Sequence, residues 1–273
     1  MGYETIEVEP LSPVIGAEIR GVDLSRPLGN QAFEEIHRAL MQHLVIFFRD
    51  QDINLDQQRA FGRQFGKLHI HPTAPSEPGH PEVLVIKADD TSKAVAGNRW
   101  HSDVSCDAEP PMGSILHMRQ LPASGGDTMF ANMYAAYDAL SEPMKAFLSG
   151  LKAWHEGERT LGRTLGQKAR EGQEYPRALH PVVRTHPETG RKALFVNSGF
   201  TTRIDGLGEK ESQAILDMLF AHVTTPEFQC RFRWREKSIA FWDNRSAQHY
   251  ALWDYFPHSR LGYRVTVCGS KPE

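Results

Sequence analysis

Hydrophobic and polar residues follow two different periods along the chain. Apolar residues at every second position, as in Ile15, Ala17 and Ile19, are typical of half-buried strands. The uninterrupted apolar run over 44–48 predicts a fully buried strand. Comparable patterns predict further strands over 193–197, 230–234, 239–242 and 260–268, and a spacing of three to four predicts helices over 31–43, 55–65, 134–149 and 209–222.

This mixture of many short strands and a few amphipathic helices favours a mainly β fold with added helices, a β-sandwich or jelly roll, over a regular βαβ repeat. The length of 273 residues fits a single domain over 1–273, since all-β folds often reach roughly 250 residues as one unit. Two segments interrupt the pattern. Residues 72–81 hold four prolines, which predicts a loop rather than a paired strand, and residues 157–178 are rich in Gly and Arg.

Composition and charge narrow the function classes. The chain has 31 Lys and Arg against 34 Asp and Glu, so no positive field draws it non-specifically to nucleic acid or anionic lipid. No apolar run exceeds five residues, whereas a membrane-spanning helix requires roughly 20. The acidic start lacks the basic and apolar regions of a secretory signal. We therefore expect a cytoplasmic protein with neither nucleic acid nor a membrane as its partner.

A histidine followed two residues later by a carboxylate occurs three times. On a strand, residues i and i+2 face the same side, so both side chains can reach one metal ion. The central proline of 80–82 and 186–188 indicates turns instead, and the second of these is expected to spread its side chains over solvent. His101 and Asp103 are therefore the candidate ligand pair. Alone they are weak evidence, because the edge of a surface strand could carry the same residues.

A further histidine, His249, is followed by two arginines on one predicted strand. Arg260 and Arg264 share a strand face, and Gly262 between them is expected to leave open space. Two inward guanidinium groups are costly unless they bind anions, and guanidinium binds carboxylate or sulfonate with two hydrogen bonds. The alternative is that both arginines pair with surface acids.

With these residues and several further motifs in fixed order, the sequence resembles the family of taurine and 2,4-dichlorophenoxyacetate dioxygenases, most closely its taurine members. The motifs that carry the resemblance are Ile15-Gly16-Ala17, Phe65-Gly66-Lys67-Leu68-His69-Ile70-His71-Pro72, Trp100-His101-Ser102-Asp103-Val104, Gly125-Gly126-Asp127-Thr128, His180-Pro181-Val182-Val183-Arg184-Thr185-His186-Pro187, Phe200-Thr201-Thr202-Arg203-Ile204 and Trp242-Asp243-Asn244-Arg245. The resemblance implies a double-stranded β-helix, which is a jelly roll, with Fe(II) as cofactor and with 2-oxoglutarate and O2 as cosubstrates.

The resemblance also implies a role for each matching residue. His101, Asp103 and His249 match the ligands of iron, which are the catalytic residues. Thr128 and Arg260 match the residues that bind 2-oxoglutarate. The substrate-binding positions are matched by His71 and Arg264, which hold the anionic head, and by Val104 and Phe200, which line the pocket. Active-site loops are expected near 72–98 and 157–178, and a homodimer or homotetramer is expected.

The expected reaction is hydroxylation of a small organic anion, most simply a sulfonate such as taurine, with release of sulfite, an aldehyde, succinate and CO2. Several pocket positions carry smaller residues than the taurine members do, namely Ala74, Gly97, Cys106 and Leu161, while Asn98 could supply an amide contact. The enlarged apolar space suits a longer alkyl sulfate ester, or an aryloxy or other carboxylate, as the alternative substrate. Two different functions stay open at this point: a jelly-roll protein that binds metal and anion without turnover, and a metal-dependent hydrolase.

Overall fold

The computed structural model describes residues 2–169, 172 and 174–273. In these residues the strands are β1 (Glu7–Pro10), β2 (Ala17–Arg20), β3 (Val45–Phe48), β4 (Ser76–Glu77), β5 (His80–Ala88), β6 (Gly113–Gln120), β7 (Thr128–Asn132), β8 (Lys152–Glu156), β9 (Arg177–Pro181), β10 (Val183–Thr185), β11 (Lys192–Leu194), β12 (Thr201–Ile204), β13 (Gln229–Phe232), β14 (Ile239–Asp243), β15 (Ala247–Ala251) and β16 (Arg260–Val267). The α-helices are α1 (Asn30–His43), α2 (Leu55–Arg63), α3 (Met133–Asp138), α4 (Glu142–Leu148) and α5 (Glu209–His222).

The prediction of a mainly β fold with added helices is confirmed. One large sheet has the strand order β1-β2-β3-β14-β6-β16-β5-β4 and is antiparallel except for the parallel pair β2 and β3. A three-stranded sheet of β13, β7 and β15 lies against it, and two smaller sheets, β12-β8-β9 and β10-β11, extend the fold.

Strand β3 shows how the alternating side chains build two cores. Phe47 belongs to the core between the two main sheets, where its ring stacks on Phe232 of β13 at 3.8 Å between centroids. Phe48 points to the opposite face and packs edge-on against Phe61 of α2. Burial of each such ring contributes about 2 kcal/mol to folding. The large sheet is therefore covered by helices on one face and by the small sheet on the other.

Two local predictions were wrong. The helix predicted over 134–149 is instead two helices, α3 and α4, because Ser141 caps a new helix through its hydroxyl group and Pro143 in the first turn of α4 has no N–H to continue the preceding one. Residues 72–81 are not entirely a loop, since β4 pairs with the start of β5 around Gly79, whose φ of +79° suits glycine. None of the helices in the described chain has the length and apolarity required to cross a membrane.

Parts of the two predicted active-site loops, 72–98 and 157–178, border one cavity. Residues Glu158–Thr164 form a short π-helix that lines this cavity, and residues 93–98 of the segment 72–98 line the same cavity. Residues 170, 171 and 173 of the second segment lie outside the described residues.

Candidate active site

Three metal-ligating side chains meet where the chain before β6 bridges to β15. The backbone of His101 exchanges two hydrogen bonds with that of His249, at 3.1 and 2.9 Å. Asp103 follows two residues later in a turn, so the pair reaches one site without the strand that its spacing predicts. One ligand atom from each of the three side chains lies within 4.8 Å of the other two, and all three side chains are buried. This cluster could hold one metal ion.

Hydrogen bonds orient these side chains. His101 Nδ1 donates to the carbonyl oxygen of Arg99 at 2.8 Å, so the lone pair is on Nε2, which lies 3.6 Å from Asp103 Oδ1. Ser114 Oγ donates to Asp103 Oδ2 at 2.7 Å, and Arg264 Nη1 donates to Oδ1 at 2.6 Å. Both oxygens of the carboxylate are thus held in place.

The charge states of the cluster suit metal binding. Burial raises the pKa of Asp103, but Arg264 and the neighbouring histidines lower it more, so this pKa lies well below its usual value. Burial, followed by the proximity of His101, holds the pKa of His249 well below its usual value. An ionised carboxylate and a neutral imidazole are the forms that bind metal ions.

The role of Asn244 was not predicted from the sequence, although Asn244 is part of the Trp242-Asp243-Asn244-Arg245 motif. Its Oδ1 accepts hydrogen bonds from the Asp103 backbone N–H at 3.1 Å and from Trp242 Nε1 at 3.0 Å, and its Nδ2 donates to Ser114 Oγ at 3.2 Å. The signal was a polar amide directly after a buried strand. Asn244 fixes the backbone that presents the carboxylate.

Arg260 is a buried cation that lines the cavity. Its Nε and Nη2 atoms have no hydrogen-bond partner, and no carboxylate of the described residues forms an ion pair with it. The guanidinium lies over the ring of Trp234 at 5.7 Å, and Trp234 Nε1 donates to Thr128 Oγ1 at 2.9 Å. Burial lowers the pKa of Arg260. Because such burial is unfavourable, the site fits an anionic ligand between Arg260 and Thr128.

The expectation of open space at Gly262 was wrong. A Cβ atom there would lie 2.7 Å from Met118 Sδ and 2.9 Å from the His117 carbonyl oxygen. The missing side chain therefore permits close packing against β6. Arg260 and Arg264 nevertheless both line the cavity from β16, as their spacing predicts.

All the predicted site residues border one cavity of about 300 Å³, namely His71, His101, Asp103, Val104, Thr128, Phe200, His249, Arg260 and Arg264. Val104, Leu161 and Phe200 form an apolar wall with Cys106 behind it. Gly97 and Asn98 border the cavity. Ala74 instead donates its backbone N–H to His71 Nδ1 at 2.9 Å, which places the proton of a neutral His71 ring on Nε2.

The mouth of the cavity carries two further cations that were not predicted from the sequence. Lys93 and Arg99 are exposed and border the cavity. Asp103 is the sole carboxylate among the described lining residues. The cavity is therefore strongly positive, which favours anionic ligands.

The other two histidine–carboxylate triplets do not join the cluster. His80 Nδ1 lies 3.2 Å from Arg59 Nη1 at the start of β5. His186 is in a turn, but the expectation that it faces solvent was wrong, because its ring is buried and its Nε2 lies 3.0 Å from Asp243 Oδ2. His69, outside the cavity, pairs with Asp107 at 3.0 Å.

Comparison with known proteins decides the family. The family described as taurine catabolism dioxygenase TauD, TfdA matches residues 7–266. The chain belongs to this TauD/TfdA family. The family assignment and the enzyme class predicted from the sequence are therefore confirmed.

Relatives of this TauD/TfdA dioxygenase share most of its length. A sulfate ester dioxygenase from Pseudomonas putida, named as dependent on alpha-ketoglutarate (2-oxoglutarate), is 39% identical, with 98% of this chain and 91% of the relative covered. An alkylsulfatase from Acinetobacter baylyi is 36% identical, with coverage of 97% and 86%. The crystal structure of a taurine dioxygenase from Burkholderia xenovorans matches with a TM-score of 0.86 and 39% identity, covering 98% of this chain and 91% of that one.

Proposed function

We propose that this Fe(II)- and 2-oxoglutarate-dependent dioxygenase hydroxylates the carbon next to the sulfur-containing head of an organic anion with an apolar chain, foremost an alkyl sulfate ester. The observation that carries the proposal is a positive cavity with an apolar wall. Among the described residues that line it, Asp103 is the one carboxylate. Hydroxylation at that carbon of a sulfate ester gives an unstable product that separates into an aldehyde and sulfate, while 2-oxoglutarate and O2 yield succinate and CO2.

His101, Asp103 and His249 would hold Fe(II). Two imidazoles and one carboxylate on one side of an ion form the ligand set typical of Fe(II) oxygenases, and they leave positions open for a cosubstrate. Fe(II) with 2-oxoglutarate supplies the activation of O2 and the oxidising power. The residues that surround the cluster, Ser114 and Asn244, keep the carboxylate in one orientation.

Arg260 and Thr128 would bind the far carboxylate of 2-oxoglutarate. The unpartnered guanidinium atoms of Arg260 can donate two parallel hydrogen bonds, and the hydroxyl of Thr128 can donate a third while it accepts from Trp234. A 2-oxoglutarate molecule held by its far carboxylate can reach the three proposed metal ligands in one orientation only.

Arg264 and His71 would hold the head of the substrate. Arg264 lies on the same face of β16 as Arg260 and donates a hydrogen bond to Asp103, one of the three proposed metal ligands. A neutral His71 carries its proton on Nε2 and can donate to a sulfate or sulfonate oxygen. These contacts would direct one C–H bond towards the reacting centre, and the wall of Val104, Leu161 and Phe200 would exclude water from it.

The charge of the cavity favours an apolar anion over a zwitterion. The ammonium group of taurine would find no free carboxylate in the described lining, since Asp103 is held by Arg264, and it would meet Lys93 and Arg99 at the mouth. An alkyl chain would contact Leu84, Ile86 and Leu165 instead. The names of the sulfate ester relatives agree with this substrate class. Alkyl sulfonates, including the taurine expected from the sequence, are the second candidate, supported by the taurine dioxygenase neighbour; aryloxy and other carboxylates follow.

The scaffold that we propose is a single-domain double-stranded β-helix over 1–273. Its support is the face-to-face packing of the large sheet on the β13-β7-β15 sheet, with the candidate ligand His249 in the middle of β15. The homodimer or homotetramer and the cytoplasmic location expected from the sequence stay predictions.

The test is product analysis with Fe(II), 2-oxoglutarate and air. Hexyl sulfate, hexanesulfonate, taurine and phenoxyacetate are supplied separately, and succinate is measured together with sulfate, sulfite or phenol. We expect hexyl sulfate to give hexanal, sulfate and succinate in equal amounts, and Asp103→Ala to abolish all three. Sulfate released with hexanol, without O2 or 2-oxoglutarate, would identify a hydrolase. No succinate with any of the anions would support a protein that binds metal and anion without turnover, whereas succinate that no anion stimulates would keep the dioxygenase chemistry and move the substrate to another anion.

A further inference from the structure

The turn that carries Phe200 over the cavity is fixed by one buried amide. Residues 197–201 connect the β11 region to β12, and Asn197, which is 1% exposed, accepts a hydrogen bond from the Phe200 backbone N–H on its Oδ1 at 2.8 Å. The Phe200 ring lies 6.3 Å from the ring of His101 between centroids. The amide therefore sets the position of this part of the cavity wall.

The same amide reaches the segment that carries the metal ligands. Asn197 Nδ2 donates to Ser105 Oγ at 2.9 Å, and Ser105 directly follows the wall residue Val104. Ser105 Oγ also lies 3.0 Å from His155 Nδ1. Burial lowers the pKa of His155 to about 3, so its ring is neutral and Nδ1 can accept the hydroxyl proton. The Ser105 hydroxyl thus accepts a hydrogen bond from Asn197 in the turn and donates one to the buried ring of His155.

The turn makes a second attachment to the segment 100–105, which carries the ligands His101 and Asp103. This attachment is at the start of the segment, before His101. The Gly199 N–H and the Ser198 hydroxyl both donate to the carbonyl oxygen of Trp100, at 3.1 and 3.2 Å. A Cβ atom at Gly199 would lie 2.9 Å from the Cβ of His101, so glycine is needed for this close approach. The turn therefore contacts the residue before the first ligand and the residue after Val104.

We infer that Asn197 is a positioning residue for the proposed hydroxylation. Through Ser105 it holds Phe200 and Val104, two sides of the substrate wall, at a fixed place relative to His101 and Asp103. A substrate that packs against the wall is then aligned with the metal ligands. Without this bond the substrate still binds, but its C–H bond moves out of reach, and 2-oxoglutarate is consumed without hydroxylation. The inference rests on the proposed function.

Two variants remove this hydrogen bond from opposite sides, Asn197→Ala and Ser105→Ala. The matched control is Thr201→Val, which removes the acceptor of the Asn197 backbone N–H at 2.9 Å in the same buried turn and leaves the bond to Ser105 intact. With hexyl sulfate in air, we expect hexanal formed per succinate to fall at least threefold in both alanine variants, with the KM for 2-oxoglutarate unchanged. Thr201→Val should keep the wild-type ratio while its thermal unfolding midpoint falls as much as theirs.

The inference is overturned by a wild-type ratio in either folded alanine variant, or by an equal fall in Thr201→Val. Ser105→Ala carries the test if Asn197→Ala does not fold. A wild-type protein that forms no aldehyde contradicts the proposed function instead. In that case the visible spectrum of Co(II)-substituted protein decides the positioning role without turnover. It should change in the alanine variants but not in Thr201→Val, and an unchanged spectrum in the alanine variants overturns the inference.

Discussion

Arg264 Nη1 lies 2.6 Å from Asp103 Oδ1, so the guanidinium proposed to hold the substrate also contacts a proposed metal ligand. Both groups are largely buried. Nη1 of Arg264 is thereby held by a proposed metal ligand, and its Nε is buried without a hydrogen-bond partner among the described residues. In the proposed role of Arg264, this geometry would place the head of the substrate beside the three candidate metal ligands, where the neighbouring carbon could be oxidised.

Arg264→Ala should weaken substrate binding and spare the cosubstrate. Loss of a buried charged donor to an anion costs at least about 2 kcal/mol, which corresponds to about a 30-fold rise in the KM for hexyl sulfate. The KM for 2-oxoglutarate should change less than threefold, because Arg264 is not among the residues that we propose to bind it. Steady-state kinetics with each ligand varied in turn checks this. A collapse of 2-oxoglutarate affinity would mean that the two arginine assignments are reversed.

Arg260→Ala should have the opposite effect. Its buried guanidinium has no carboxylate partner among the described residues, so an anionic cosubstrate is the partner that it would lose. We expect the affinity for 2-oxoglutarate, measured by calorimetry without O2, to fall at least about 30-fold, by the same reasoning on buried charge pairs. Hexyl sulfate affinity should stay within threefold. Burying the charge of Arg260 without an anion is unfavourable, so we expect Arg260→Ala to be no less stable than wild type in the absence of 2-oxoglutarate. A large loss of stability would indicate a structural role for Arg260 instead.

Sequence patterns predicted the elements whose periodicity is strong and local. The run over 44–48 became β3, and the helices near 31–43 and 209–222 lie within one residue of their predicted bounds. The pattern could not show that Ser141 begins a new helix, because the apolar spacing continues across it. Pro81 also gave a wrong expectation, since proline is tolerated where β5 begins beside the two-residue strand β4.

The candidate site was predictable where chemistry-bearing residues have regular spacing. Arg260 and Arg264 follow strand periodicity on β16 and border one cavity. His101 and Asp103 border the same cavity, but His101 forms only an isolated bridge and Asp103 lies in the turn that follows, so strand periodicity is not what brings them together. The residues that hold the ligands in place have no such spacing, because their hydrogen-bond partners are distant in the chain. Asn244 contacts a backbone N–H 141 residues away, a relation set only by how β14 meets the ligand segment. His186 was wrongly predicted to face solvent because its buried partner Asp243 is also distant in the chain, 57 residues further on.

The exposed cations at the mouth should accelerate capture of anions. Lys93 and Arg99 border the cavity but form no ion pair within the described chain. In Lys93→Gln/Arg99→Gln we expect kcat/KM for hexyl sulfate to fall several-fold at 0.02 M salt with kcat unchanged, as an order-of-magnitude estimate for charges that steer a ligand. The difference should nearly vanish at about 0.5 M salt, where the Debye length is only about 4 Å. Lys87→Gln is the control, since Lys87 pairs with Asp89 away from the cavity lining. An unchanged salt dependence in the double variant would contradict steering.

Glu35 should make the stability of the protein depend on pH at acid values. Its carboxylate accepts hydrogen bonds from the backbone N–H groups of Glu4, Thr5 and Ile6, which attach the start of the chain to α1. Burial raises the pKa of Glu35, but these hydrogen bonds lower it more, to about 2 from an ordinary 4.5. A lowered pKa stabilises the folded protein fully above about pH 4.5, and this contribution is lost as the pH falls from 4.5 through 2.

We therefore expect Glu35→Gln to lower the free energy of unfolding at pH 7, because an amide nitrogen replaces one oxygen that accepts from N–H groups. Urea unfolding at pH 7, 5 and 3.5 measures the difference from wild type, which should be constant between pH 7 and 5 and smaller at 3.5. Glu34→Gln is the matched control, since it removes the same charge from the adjacent exposed position of α1. If the two variants lose stability equally at pH 7, or if the Glu35→Gln difference grows towards acid pH, the hydrogen-bonded carboxylate is not the cause.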